Sequence, residues 1–309
     1  MKKISIVTTV FNEIENIEEF YNLIKNIRNS YSNYSFEHII IDNNSQDGTV
    51  AVLERLASFD KDLKLIFNSK NFGFIRSFYH SLFQANGDAV ITTVADFQEP
   101  NDIINNYIKL WEEGSEIILS RKIGSEENFL MKFIRSFFYK FINKIADIDL
   151  PVNTTGHGLI SKRVVDELRK FNDKYPYFRG LVAETGFKID FVDYKQKIRK
   201  KGKSKFKFYQ LYDMAILGIV KHTRLPLRIA TLTGFTASII SIIVSMFYLI
   251  YKILYWDTFV LGIAPLVVGL FAFLSIQIFI IGLIGEYVGA ILIETRNIPL
   301  VVERKRINF

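Results

Sequence analysis

Residues 88–100 read Asp88-Ala89-Val90-Ile91-Thr92-Thr93-Val94-Ala95-Asp96-Phe97-Gln98-Glu99-Pro100. A β-branched run that ends in acidic and amide side chains predicts a buried parallel strand that ends at Asp96, where its carboxyl end opens into a site. A carboxylate there suits Mg²⁺, which binds proteins through one or two carboxylates together with phosphate oxygens. The alternative is that Asp96 caps the helix expected after Pro100.

Strands and helices alternate on the N-terminal side of this stretch. Strands are predicted at 4–11, 36–41 and 63–67, and helices at 13–29, 50–58 and 74–85. This alternation is typical of a doubly wound α/β sheet with mostly parallel strands. Because the carboxyl ends of parallel strands share one edge, three polar clusters are expected to converge there. They are Phe11-Asn12-Glu13, Asp42 through Thr49, and Asp96 through Pro100.

The second cluster has two interpretations. Asp42 and Asp47 can accept hydrogen bonds from a nucleotide base or ribose, whereas the structural alternative is a turn closed by an Asx cap. Neither GxGxxG nor GxxxxGK[ST] occurs, which argues against dinucleotide and P-loop sites. The absence of cysteine excludes disulfides and thiolate metal sites.

Two uncharged segments predict transmembrane helices. Ile229–Tyr251 has 23 residues without a charge and Thr258–Gly285 has 28, and about 20 apolar residues span a bilayer. Lys and Arg flank the pair on its outer sides, and the loop 255–257 has none, so both termini are expected in the cytoplasm. The apolar run at the N-terminus is followed by no signal-peptide cleavage site, so the N-terminal part is expected to stay in the cytoplasm.

The net charge of +7 is concentrated before the first span. Nine Lys or Arg lie between Lys188 and Lys207, against two Asp. Basic segments next to a span are typical of attraction to anionic lipid, and nucleic acid is disfavoured because no nucleic-acid motif accompanies the cluster. An amphipathic juxtamembrane helix is expected at 206–226, and 129–145 fits either a surface or an interfacial helix.

Several motifs in chain order resemble those of family 2 glycosyltransferases. More narrowly, the chain is similar to polyprenyl-phosphate glycosyltransferases of the bactoprenol glucosyltransferase and dolichol-phosphate mannose synthase type, over essentially its whole length. The matching segments are Ile6 through Glu13, Ile41 through Thr49, Asn71-Phe72-Gly73, Ala95 through Pro100, Phe178 through Val182, and Arg199 followed by Gly202 through Phe206.

The resemblance implies a GT-A fold over 1–205, the juxtamembrane helix 206–226, transmembrane helices at 227–253 and 258–287, and a cytoplasmic tail over 288–309. It also implies a metal-dependent enzyme (Mg²⁺ or Mn²⁺) of the bacterial inner (plasma) membrane. The expected reaction is an inverting transfer from a nucleotide sugar, with UDP favoured by family frequency, to polyprenyl (undecaprenyl) phosphate for cell-envelope polysaccharide. The sugar, the pathway and homo-oligomerisation stay open.

The resemblance assigns site residues in three groups. The nucleotide group is Val10, Asn12, Glu13, Asp42, Asp47, Asn71, Gly73 and Arg76. The metal group is Asp96, with Gln98 and Glu99 nearby. The group for the acceptor phosphate is Arg179, Arg199, Lys203, Ser204 and Lys205.

The chain departs from many relatives at two positions. Val94 stands where a second acid is common, and Gly156 lies where an acidic general base is often found. A phosphate monoester, with a second pKa of about 6, is already anionic at pH 7 and needs no such base. If His157 or Glu184 is the base, a hydroxyl acceptor on a lipid-linked oligosaccharide is the alternative. A second alternative is a membrane scaffold without catalytic activity. Processive synthesis is disfavoured because no Gln-x-x-Arg-Trp motif occurs.

Overall fold

The computed structural model describes residues 1–100, 102–125, 146, 148–197, 216–255 and 263–309. Residues 216–222 form a helix, here called the junction helix. The other elements are β1 Lys3–Val10, α1 Ile17–Ser30, β2 Ser35–Asp42, α2 Thr49–Phe59, β3 Leu63–Asn68, α3 Phe74–Gln84, β4 Ala89–Thr93, α4 Ile103–Glu112, β5 Ile117–Ser125, β6 Thr154–Ser161, α5 Lys162–Phe171, α6 Phe178–Glu184, β7 Ile189–Gln196, α7 Leu225–Leu254, α8 Ile263–Thr295 and β8 Glu303–Ile307.

The sheet has the order β7-β5-β6-β4-β1-β2-β3-β8. Strands β4, β1, β2 and β3 run parallel, whereas β6 and β8 pair antiparallel with their neighbours. Helices α1, α2 and α4 cover one face and α3, α5 and α6 the other. Coverage of both faces explains the nearly continuous apolar runs of β1 and β2. The predicted mostly parallel α/β sheet is confirmed.

The strand before Asp96 ends earlier than its sequence predicts. β4 stops at Thr93, and the chain turns so that the N–H of Gln98 donates to Asp96 Oδ1 at 3.1 Å. Phe97 takes a φ of 55° and buries its ring against Phe20. α4 begins only at Ile103, so the helix-cap alternative for Asp96 is wrong.

Helices α7 and α8 are long and apolar. Among the described residues, the windows Leu225–Val244 and Phe273–Thr295 are long and apolar enough to cross a membrane, with mean hydropathies of 1.8 and 2.1. Their large apolar side chains are exposed on the protein, which is unfavourable in water and natural in lipid. α8 continues to Thr295, eight residues past the end expected from the sequence, because Val288 to Leu292 continue the apolar pattern after Glu286.

The chain returns to the sheet after α8. β8 pairs antiparallel with β3, in a region that the sequence predicts only as a tail. His80 Nε2 lies 2.8 Å from Glu303 Oε1, and the Asn308 side-chain amide donates to the carbonyls of Ala57 and Leu63 at 2.9 Å. The C-terminal residues are therefore an integral part of the α/β domain.

Some predicted features lie outside the described residues. They are the 129–145 helix, most of the 206–226 helix, and the phosphate-binding candidates Arg199, Lys203, Ser204 and Lys205.

Candidate active site

The loops after β1 and β2 are hydrogen-bonded to each other. The N–H of Asn12 donates to Ser45 Oγ at 2.7 Å, and the N–H of Gln46 donates to Asn12 Oδ1 at 2.7 Å. The N–H of Glu13 donates to Thr49 Oγ1 at 3.0 Å. Asn12 reaches this arrangement with a φ of 53°, which Asn tolerates better than most residues. The first two polar clusters therefore do converge at the carboxyl edge of the sheet.

Asp42 lies at the bottom of this loop pair and is completely buried. Its Oδ2 accepts the N–H of Ser45 at 3.0 Å, whereas its Oδ1 has no hydrogen-bond partner within the described residues. Burial raises the pKa of this carboxyl. Thr9 Oγ1, also buried, is likewise unpaired there. Because unpaired buried acceptors are costly, this is a place for a ligand N–H or O–H.

Asp47 closes the loop itself. Its Oδ1 accepts the N–H and hydroxyl of Thr49, at 3.1 and 2.6 Å, and its Oδ2 accepts the N–H of Ile14 at 3.1 Å. These contacts support the Asx-cap alternative for Asp47 rather than a role in the nucleotide pocket. Val10 belongs to the buried core, and Glu13 Oε2 accepts a hydrogen bond from Asn16.

Asn43 is a connecting residue that the sequence reasoning missed. Its Oδ1 accepts hydrogen bonds from Asn68 Nδ2, Phe72 N and Ser77 Oγ at 3.0–3.1 Å. Its Nδ2 donates to Asn71 Oδ1 at 2.8 Å. One buried amide therefore fastens the loop after β2 to β3 and to the start of α3. Its only sequence signal is its position directly after Asp42 at a strand end.

Gly73 and Arg76 stand at the start of α3. Gly73 has a φ of 85°, in the left-handed region that favours glycine, and its N–H donates to Asn71 Oδ1 at 2.8 Å. Arg76 Nη2 donates to the carbonyl of Pro299 at 2.6 Å, and its guanidinium lies over the Phe72 ring. Arg76 therefore contacts the segment that connects α8 to β8, a role that its sequence position did not suggest.

Asp96, His157 and Arg179 are electrostatic neighbours. His157 is buried, with its ring edge-on to Phe74 and Phe78. Burial lowers the pKa of His157 to about 4; the Asp96 carboxylate acts in the opposite direction, and the Arg179 cation adds to the lowering. A neutral imidazole with so low a pKa is a weak general base at neutral pH.

The metal candidates do not form a multidentate site. Glu99 Oε1 accepts the Ser120 hydroxyl at 3.0 Å, so Glu99 is tied to β5. Within the described ranges, no group of three or more His, Cys, Asp or Glu could hold a metal ion. One partly exposed carboxylate, Asp96, fits Mg²⁺ or Mn²⁺ when donor phosphates supply other ligands. Gln98 and Asp96 share a turn, in which the backbone N–H of Gln98 donates to this carboxylate.

The end of β7 reaches the Asp96 turn. The N–H of Lys197 donates to the carbonyl of Gln98 at 3.0 Å. Arg199, where a basic segment begins, is two residues after Lys197 in the sequence. Glu184, the other candidate base, instead faces the junction helix, where its Oε1 lies 3.0 Å from His222 Nδ1.

Residues 5–169 match Glycosyl transferase family 2. The chain is 30% identical over 302 residues to the uncharacterized glycosyltransferase YkcC of Bacillus subtilis (strain 168), covering 97% of this chain and 93% of that protein. It is also 30% identical over 304 residues to the SfII prophage-derived bactoprenol glucosyl transferase of Shigella flexneri, covering 98% of each.

A solved structure agrees with these matches. The glucosyl-3-phosphoglycerate synthase of Mycobacterium tuberculosis, in complex with Mn²⁺, uridine diphosphate and phosphoglyceric acid, superposes with a TM-score of 0.50 at 17% identity, over 71% of this chain and 76% of that one. This similarity supports the GT-A fold of the catalytic domain. With the family match over half of its length and full-length relatives at 30% identity, the chain belongs to glycosyl transferase family 2.

Proposed function

We propose that this protein is a membrane-bound inverting glycosyltransferase. It moves a sugar from a nucleotide donor, UDP-linked by preference, to polyprenyl phosphate at the cytoplasmic face of a bacterial inner membrane. The observation that carries the proposal is the buried Asp42 Oδ1, which has no hydrogen-bond partner within the described residues. The electrostatic proximity of Asp96, His157 and Arg179 supports it. The relative named as a bactoprenol glucosyl transferase supports the lipid acceptor.

Asp42 and Asn12 are the residues that we assign to the donor base and ribose. Asp42 Oδ1 is buried and lacks a partner in the described part of the chain, so a base N–H or a ribose O–H bound there satisfies it. Asn12 and Ser45 hold the two loops together around this position. The uridine diphosphate bound by the solved relative agrees with a nucleotide of this kind.

Asp96 is the residue that we assign to the metal. Bound there, Mg²⁺ or Mn²⁺ supplies positive charge to the leaving diphosphate. Asp96 contributes one carboxylate, held at a fixed place by the N–H of Gln98. Lys197, two residues before Arg199 in the sequence, donates its N–H to the Gln98 carbonyl beside the same turn.

Neither candidate base in the described part of the chain is well suited to remove a proton from an acceptor. His157 has a pKa of about 4, and Glu184 is paired with His222. A hydroxyl acceptor needs a base to remove its proton, whereas a phosphate monoester at pH 7 attacks as an anion. Arg179 supplies a guanidinium, which suits phosphate recognition. These features favour a phosphate acceptor over a sugar hydroxyl.

The membrane topology is the last part of the proposal. α7 and α8 cross the bilayer as a pair, with their exposed apolar side chains in lipid. The return of β8 to β3 supports an even number of crossings, because both ends of the pair then lie beside one catalytic domain. Lys and Arg on the same side support a cytoplasmic location.

The test is a donor screen in membranes that contain the protein. Each nucleotide sugar is supplied with a short polyprenyl phosphate, with Mg²⁺, Mn²⁺ or EDTA, and the lipid-linked product is detected by mass. We expect a sugar–phosphate–lipid product only when a metal is present. A product formed only on a lipid-linked oligosaccharide would favour the hydroxyl alternative, and failure to bind any nucleotide sugar would favour the scaffold.

Asp96→Asn keeps the size of the side chain and removes its charge. We expect transfer to fall by at least about 100-fold, since a metal contributes several kcal/mol to transition-state stabilisation. Asp102→Asn is the matched control, because Asp102 is an exposed carboxylate at the start of α4 without a side-chain cap bond. Full activity of Asp96→Asn would contradict the metal assignment.

A further inference from the structure

Three consecutive residues join the catalytic domain to both long helices. Lys221 Nζ donates to Asp173 Oδ1 at 2.6 Å and also to Glu294 Oε1, near the end of α8. The hydroxyl of Tyr287 in α8 donates to the carbonyl of Thr223 at 2.9 Å. The third residue, His222, lies between Lys221 and Thr223 in the sequence and belongs to the junction helix. The start of α7 and the end of α8 therefore meet the catalytic domain at one place.

His222 faces α6 from this place. Its side chain is 2% exposed, and its Nδ1 lies 3.0 Å from Glu184 Oε1. Because a carboxylate only accepts hydrogen bonds, the ring nitrogen donates. The ring also packs on Tyr177, with centroids 5.5 Å apart. Glu184 is at the C-terminal end of α6 and Tyr177 immediately precedes its first residue, so His222 contacts both ends of this short helix.

Gly180 gives the ring its space in the middle of α6. A Cβ on Gly180 would lie 1.9 Å from His222 Nε2 and 2.3 Å from Cε1. These distances are far below any van der Waals contact, so only glycine lets the imidazole lie against the helix backbone. Gly180 is the next residue after Arg179, which we assign to the acceptor phosphate. The His222 ring therefore fixes the backbone from which the Arg179 side chain extends.

We propose that His222 is a positioning residue for Arg179. Through His222, the junction helix sets the place of α6 relative to α7 and α8, and hence the place of the guanidinium relative to the membrane. A lipid phosphate approaches from the bilayer surface, so its distance from the guanidinium depends on this junction. This role rests on the proposed function, since it concerns how the same site meets a lipid phosphate.

The experiment compares His222→Ala with His222→Asn in the full chain. Ala removes the contact with Glu184, whereas Asn keeps a donor near the position of Nδ1. We expect the KM for short polyprenyl phosphate to rise about tenfold in His222→Ala, the size of one lost hydrogen bond to a charged group. The donor KM should stay within about twofold, and Asn should restore most of the acceptor affinity.

His80→Ala is the matched control. His80 forms a second histidine–glutamate pair, 2.8 Å from Glu303, on α3 and β8. Its loss should lower stability and leave the acceptor KM unchanged. An unchanged acceptor KM in His222→Ala would overturn the positioning role. An equal rise of the acceptor KM in His222→Ala and His80→Ala, or an equal rise of the acceptor and donor KM in His222→Ala, would also overturn it.

Two measurements do not depend on turnover. Amide hydrogen exchange over 178–184 should be faster in His222→Ala than in wild type, and equal exchange would overturn the proposal. Gly180→Ala should destabilise the wild-type protein more than it destabilises the His222→Ala variant, because the clashing ring is absent in that variant. Equal losses of stability in the two backgrounds would refute the contact. If wild type transfers no sugar to polyprenyl phosphate, the proposed function fails, while these two measurements still decide the packing.

Discussion

Asn43→Ala tests the internal construction of the donor site. Asn43 is 2% exposed, and its amide makes the four hydrogen bonds that connect the loop after β2 with β3 and α3. After truncation, Asn68 and Ser77 still bond to each other, and Asn71 keeps the N–H of Gly73. The partly buried N–H of Phe72 loses the partner described for it.

The magnitude follows from this inventory. One buried N–H left without a hydrogen-bond partner costs about 1–3 kcal/mol. Each lost bond whose partners pair elsewhere costs about 0.5–1.5 kcal/mol, reduced by the free energy that the new pairing recovers. We expect the free energy of unfolding to fall by about 2–4 kcal/mol. At about 2–4 °C per kcal/mol for a chain of this size, the Tm should fall by roughly 4–16 °C.

The assay is thermal unfolding in detergent, followed by circular dichroism, together with the donor KM. Because Asn43 adjoins Asp42, the donor KM should rise while the acceptor KM changes little. Asn43→Asp should lie between wild type and Ala, since it keeps the accepting oxygen and loses the donor to Asn71. Asn105→Ala, at an exposed site on α4 that pairs with the Tyr31 hydroxyl, is the control. A Tm change below 1 °C in Asn43→Ala would refute this reasoning.

Two further perturbations address stability. Burial alone would raise the pKa of Glu37, but Lys3 and Lys64, each 2.8 Å away, hold it at about 2 against an ordinary 4.5. The ionised carboxylate therefore contributes about 3 kcal/mol to the free energy of unfolding above pH 4.5, and this contribution is lost as the pH falls toward 2. The free energy of unfolding of Glu37→Gln should depend less on pH in this range than that of wild type. Parallel curves for the two proteins would contradict this. Asn308→Ala should cost about 1–3 kcal/mol in thermal unfolding, and no loss would argue against its three bonds to the carbonyls of Ala57, Asp60 and Leu63.

The sheet and the convergence of the first two polar loops could be predicted, because alternation of strands and helices leaves few topologies open. Asp42 and Asn12 follow apolar strands, and this position alone brings them to one edge. The roles within a loop could not be predicted. Asp47 and Asp42 are both Asp in one polar cluster. Only the backbone path decides that Asp47 closes the turn while Asp42 Oδ1 finds no partner among the residues that the structure describes.

Long-range contacts also could not be predicted from the sequence. β8 reads Glu303-Arg304-Lys305-Arg306-Ile307, a charged run without the alternation of a half-buried strand. It becomes a strand because β3 offers an open edge, and charged residues suit an exposed edge. The contact of His222 with Gly180 joins residues 42 positions apart, and neither has a local pattern that indicates the other.

The pairing of β8 with β3 also has a consequence for biosynthesis. β3 leaves the ribosome more than 200 residues before its partner. In the proposed topology, its edge therefore stays open while α7 and α8 enter the bilayer. An unpaired strand edge is prone to wrong association, and closing so long a loop is slow. We therefore expect completion of the sheet to come late in folding. In the proposed topology it requires both ends of the helix pair to lie on one side of the bilayer, so the finished sheet would report correct insertion.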